Sequence, residues 1–118
     1  MGAKKRVSKI LSAPYEFVLR VKEGADKGII FALSKDRMIV GRSAVAHADI
    51  EINEIFAAPS HFEIYWDESI KSHIVGDRGA RNKVYVNGHA LKILTAKELR
   101  LGDEIRVGNT IFIYERIM

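Results

Sequence analysis

Histidines and acids are the side chains best able to move protons or hold metal ions, and in this chain neither type is grouped for that work. His47, His61, His73 and His89 lack the i, i+4 spacing that sets two imidazoles around a zinc ion on one helix face. Cysteine is absent, which removes thiolate ligands, thiol nucleophiles and disulfides together. No Gly-x-Ser-x-Gly elbow, Walker loop or Gly-x-Gly-x-x-Gly turn occurs, and the acids fall singly along the chain, so an acid/base pair would have to be assembled from remote loops. The expectation is no catalysis, no metal and no cofactor.

Anion binding by basic residues is the chemistry that remains. Lys4, Lys5, Arg6 and Lys9 all precede the first acid, Glu16, and they account for the net charge of +4; the other basic residues balance the 15 acids. A neutral body with no aromatic stacking platform beside the tail lysines gives no support for a nucleic-acid-binding face. Val7, Ile10 and Leu11 suit one apolar turn, but the tail as a whole reads as a flexible basic segment over residues 1–14, ending at Pro14. Arg6 stands where a myristoylation signal needs Ser or Thr, and no run reaches the roughly 18 apolar residues of a membrane span. A cytoplasmic protein without nucleic-acid or membrane partners is therefore expected, reduced surroundings being the simpler reading of a cysteine-free chain.

Positioning any site falls to short strands. With 118 residues, 47% of them hydrophobic, the chain fits one domain, expected over residues 15–118. Phe17, Leu19 and Val21 alternate with Val18, Arg20 and Lys22, and residues 23–28 turn the chain into Ile29, Phe31 and Leu33, which predicts a hairpin. Further strands are predicted at 37–40, 49–52, 60–66, 72–77, 83–86, 104–107 and 110–117, each bounded by Gly, Asn, Asp or Pro. Asn87-Gly88 and Gly108-Asn109 are two-residue hairpin turns by composition. Strands recurring about every ten residues, with no sustained helical period, predict an all-β, two-sheet antiparallel sandwich.

Four fragments then stand in a telling order: Gly41-Arg42, His61, Asp77-x-Gly79-x-x-Asn82-x-x-Tyr85-Val86-Asn87-Gly88, and Leu101-Gly102-Asp103-Glu104-Ile105-x-x-Gly108. Over about residues 17–115 they resemble the forkhead-associated domain, a SMAD-like β-sandwich that binds phosphothreonine peptides. The resemblance implies a ligand held by loops at one end of the sandwich, here 42–48, 53–60 and 78–83. It implies that Arg42 serves the phosphate region, where a guanidinium offers forked donors, and that Asn82 holds the peptide backbone with an amide that donates and accepts. The alternatives are that Arg42 pairs with a loop carboxylate such as Asp49, and that Asn82 only tolerates a turn. His61 is implied to brace a loop from within, with Gly41, Gly79, Asn87 and Gly88 as structural support.

The departures from that pattern are specific. The usual serine three residues before the matched histidine, and the basic residue after it, are Ala58 and Pro59 here, so a hydroxyl and a cation are missing. Ala80-Arg81 replace a Ser-Thr pair, and Lys83 replaces a glycine. Arg78, Arg81 and Lys83, with Ser43 and Ser60 in the other two loops, are the candidate compensation; their alternative is a solvated rim. Ile55 and Phe56 ahead of Ala57, Ala58 and Pro59 make an apolar loop, suited either to a partner or to packing on the core. The primary expectation is a signalling module that binds a phosphorylated protein or peptide, with a Ser/Thr kinase substrate and the chain's own Ser8 or Ser12 as candidates. The alternative is phosphate-independent association, with a partner or a second copy, within the regulatory part of a larger signalling enzyme; the Met1 start is equally consistent with a complete protein, and the oligomeric state is left open.

Overall fold

The computed structural model describes residues 16–42 and 48–117, where the alternation of apolar and polar side chains resolves into eleven strands. One sheet runs β2 (Ile30–Ala32), β1 (Phe17–Glu23), β11 (Thr110–Arg116), β10 (Glu104–Val107), β7 (Tyr85–Val86), β8 (His89–Ala90). The other runs β4 (Ile50–Ile52), β3 (Arg37–Arg42), β5 (Phe62–Asp67), β6 (Ser72–Asp77), β9 (Ala96–Glu98). The tail expected over residues 1–14, and Ser43, lie outside the described residues. Among those described, no helix is long and apolar enough to cross a membrane.

The inward faces meet in a single core. Leu19, Val21, Ile105, Val107, Phe112 and Tyr114 come from the first sheet and Val40, Phe62, Ile64 and Val75 from the second, all buried. Period-two alternation produces this directly, because successive side chains leave opposite faces of a strand. The hairpin of β1 and β2 forms with Leu19 opposite Phe31, and β5 pairs antiparallel with both β3 and β6.

One pair departs from the antiparallel expectation: β4 runs parallel to β3, with Val40 opposite Ile50 and Arg42 opposite Ile52. Asp49 fixes that direction at the start of β4. Its backbone N–H donates to the Ile39 carbonyl at 2.9 Å, while its carboxylate accepts the Ile39 N–H at 2.8 Å. Two further strands appear, β8, which completes the hairpin expected at Asn87-Gly88, and β9, which lies where no strand was expected; every residue in both is exposed. Asn87 (φ 51°) and Gly88 (φ 84°) both take left-handed backbone between β7 and β8, the requirement of a type I′ turn.

Candidate functional site

Three connections converge where β3 ends, β5 begins and β10 turns into β11. Gly41 makes the first approach possible. A Cβ at residue 41 would stand 1.7 Å from the Pro59 carbonyl oxygen, so only glycine lets the 58–60 segment lie against the end of β3. Hydrogen bonds on either side hold it: the Arg42 N–H donates to the Ala58 carbonyl at 3.0 Å, and the His61 N–H to the Val40 carbonyl at 2.8 Å.

His61 ties this segment to the next. It is fully buried, and its Nδ1 accepts the Ala58 N–H at 2.9 Å, which leaves the ring proton of the neutral imidazole on Nε2. Burial holds its pKa below the ordinary histidine value; the backbone of Asn82 and Lys83 and the charges of Asp77 and Glu54 oppose that in part. Nε2 nevertheless meets no partner with hydrogen-bond geometry among the described residues.

The 78–83 connection is shaped by Asp77, which is buried and accepts the N–H groups of Gly79 at 2.9 Å and Leu94 at 2.8 Å. Gly79 takes φ 81° to permit that turn. Asn82, exposed at the far end, donates from Nδ2 to the Phe56 carbonyl at 2.8 Å and so joins the 78–83 and 53–60 connections. Its side-chain oxygen and second N–H have no partner among the described residues.

The cations divide by what they already hold. Arg42 is half-buried, and its Nε is unpartnered among the described residues. Asp49 is not its counter-ion, because that carboxylate takes Lys35 at 2.7 Å and the Ile39 backbone. Arg78 points onto the outer face of the second sheet, where Glu63 holds it at 3.4 Å and also holds Arg37. Arg81 and Lys83 are exposed and form no ion pair among the described residues, and Ser60 is exposed between Pro59 and His61.

Beside Asn82 opens a cavity of about 290 Å³, lined by Phe56, Asn82, Lys83, Tyr85 and Arg106 and by the turn at Gly108. The Arg106 guanidinium lies over the Tyr85 ring at 4.2 Å and donates to the Gly108 carbonyl at 3.2 Å, an arrangement that fixes its direction. The apolar loop is split in two: Ala57 is buried at 3% exposure, whereas Ile55 and Phe56 are 78% and 46% exposed.

The structure therefore brings Gly41, Arg42, Ser60, His61, Gly79, Asn82 and Lys83 to one end, and directs Arg78 away along the sheet. Asn87 and Gly88 turn the chain at the Glu104 end of β10, the opposite end, where Asn87 donates to Asp103 at 2.9 Å and accepts the Glu104 N–H at 2.9 Å. Phe56, Tyr85, Arg106 and the buried acid Glu54 were not among the expected site residues. Tyr85 and Arg106 face each other across β7 and β10, a pairing that only the register discloses.

Known proteins share this fold. The profile of the FHA domain family matches residues 38–108. The mouse protein Angiogenic factor with G patch and FHA domains 1 is 30% identical over 81 residues, which cover 64% of this chain but only 11% of that protein. An FHA domain of an Arabidopsis thaliana hypothetical protein superposes with a TM-score of 0.79 at 21% identity, over 97% of this chain and 96% of that one. A domain studied for phosphothreonine-dependent FHA interactions gives 0.70 at 24% identity, over 84% and 94%. The profile spans the strands and connections that build the loop end, from β3 through β10, and on that match the chain belongs to the FHA domain family.

Proposed function

We propose that this chain is a non-catalytic interaction module that captures phosphothreonine-containing peptides or proteins at the loop end of the sandwich. The observation that carries this reading is Arg42: a half-buried guanidinium left without a carboxylate among the described residues, tied through its backbone to the same 53–60 connection that Asn82 holds with an amide still offering a donor and an acceptor. A phosphate dianion supplies the acceptors that a guanidinium lacks here, and hydrogen bonds to a charged group contribute about 1.5–3 kcal/mol each.

The phosphate grip is an altered one. With Ala58 and Pro59 in place of a hydroxyl and a cation, Arg42 takes the central role, Ser43 and Ser60 supply hydroxyls, and Arg81 and Lys83 supply charge. Asn82 fixes the peptide backbone, and the cavity between Lys83 and Arg106 receives a ligand side chain, an acidic one by its charge. His61, Gly41 and Gly79 hold the loops in place. Arg78 adds little, because Glu63 already engages it. We place the protein in the cytoplasm, acting within a signalling assembly on a kinase substrate or on its own phosphorylated tail.

Exposure of Ile55 and Phe56 favours a second reading, in which a partner or second copy docks on this end by shape without phosphate. Matched threonine, phosphoserine and phosphothreonine peptide pools titrated against the wild type and Arg42→Ala separate the two. Selective capture of the phosphothreonine pool, weakened by salt and lost in Arg42→Ala, supports the first. Equal capture of the unmodified pool overturns it in favour of the second.

A further inference from the structure

Glu54 is buried at 5% exposure and forms no ion pair among the described residues, yet its carboxylate accepts three hydrogen bonds. Oε1 accepts the Thr110 hydroxyl at 2.6 Å and the Asn109 N–H at 3.2 Å, and Oε2 accepts the Phe56 N–H at 3.3 Å. The turn is moulded around this carboxylate. A Cβ at Gly108 would stand 2.5 Å from Oε2 and 2.8 Å from the Phe56 Cβ, so the acid fits only because residue 108 has no side chain.

The Phe56 main chain is thereby held at both ends. Glu54 takes its N–H, and its carbonyl accepts from Asn82 Nδ2 at 2.8 Å. A relay runs from the buried Thr110 hydroxyl through Glu54 and the Phe56 backbone to the side-chain amide of Asn82, a residue that lines the cavity. Moving the Phe56 carbonyl turns the Asn82 amide, and with it the donor and acceptor left for a ligand.

We propose that Glu54 is a positioning residue for ligand binding, acting through the Phe56 backbone to orient the Asn82 side chain. This rests on the phosphopeptide reading of the loop end. A carboxylate is required because all three partners are donors; an amide offers one oxygen and would set its own N–H groups against at least one of them.

The test is a double-mutant cycle with Glu54→Gln and Asn82→Ala, read with a degenerate phosphothreonine peptide pool, with the Asn82 side-chain amide resonance followed in parallel. Glu54→Gln should weaken binding about tenfold with Asn82 present and less than about twofold in Asn82→Ala, and should shift that resonance without ligand. Thr110→Val, which removes one donor and leaves the carboxylate, should act in the same direction with smaller size if Glu54→Gln does not fold. Equal losses in both backgrounds, or an unmoved resonance, overturn the role while the phosphopeptide reading stands. A wild type that ignores the phosphorylated pool overturns that reading, and the role with it.

Discussion

Acidification should destabilise this domain through a histidine far from the loop end. His73 is 1% exposed, with its ring packed against Phe17, Trp66 and Tyr114 at centroid distances of 5.5, 5.1 and 5.5 Å. Its Nδ1 lies 2.8 Å from the Tyr114 hydroxyl, and Nε2 has no partner among the described residues. With aromatic rings around it, burial lowers its pKa from 6.5 to about 4. The unfolded chain therefore binds a proton that the folded one refuses between those values. Stability present above pH 6.5 is lost as pH falls toward about 4, where the folded form also protonates. A displacement of this size corresponds to about 3 kcal/mol in full, of which about 2 kcal/mol is lost between pH 7 and pH 5. Urea unfolding followed by the fluorescence of Trp66, the single tryptophan and a neighbour of His73, measures this at both pH values. His73→Gln, which keeps an acceptor for the tyrosine but cannot charge, should lose about 2 kcal/mol less than the wild type over that interval. The same loss in both proteins would refute the assignment. His61, also lowered, contributes equally to each and cancels in the difference.

Other consequences are local. Gly41→Ala drives a methyl group into the Pro59 carbonyl and should lower stability by about 1–3 kcal/mol, visible as an earlier urea midpoint; an unchanged midpoint would mean that the 58–60 segment yields freely. Asn87→Ala removes two hydrogen bonds to the Asp103-Glu104 backbone and side chain at a left-handed position, which should cost about 1–3 kcal/mol by the same assay while leaving ligand affinity intact. Lys83→Ala should weaken capture of a phosphothreonine pool more than Arg78→Ala, because Glu63 occupies Arg78 alone of the two; the opposite order, measured by fluorescence polarisation, would contradict the division of cations.

The strands were legible where apolar and polar residues alternate, as in β5, where Phe62 and Ile64 are buried and Glu63 and Tyr65 between and beyond them are half-buried. The strand β9 was not, because Ala96, Lys97 and Glu98 are all exposed and carry no alternation; β6 recruits β9 through its backbone, with Val75 opposite Lys97. Nor did sequence spacing disclose the parallel pairing of β4, which depends on Asp49 reaching both sides of Ile39. At the loop end, Arg42 and Asn82 stood out by motif. Glu54 did not, since an acid ahead of two apolar residues carries no mark of burial, and only the Gly108 turn that accommodates it gives the reason. The composition of the 55–59 loop does not divide it, whereas burial does: the chain buries Ala57 and leaves Ile55 in solvent.

Amide NMR of the wild type during addition of a phosphothreonine peptide pool, with its unmodified counterpart as control, tests the proposed ligand site most directly. Shifts should concentrate at Arg42, Ser60, Asn82 and Lys83 with the phosphorylated pool only, and should disappear in Arg42→Ala. Shifts confined to the outer sheet faces around Arg20 or Tyr65, or the same shifts with the unmodified pool, would contradict it.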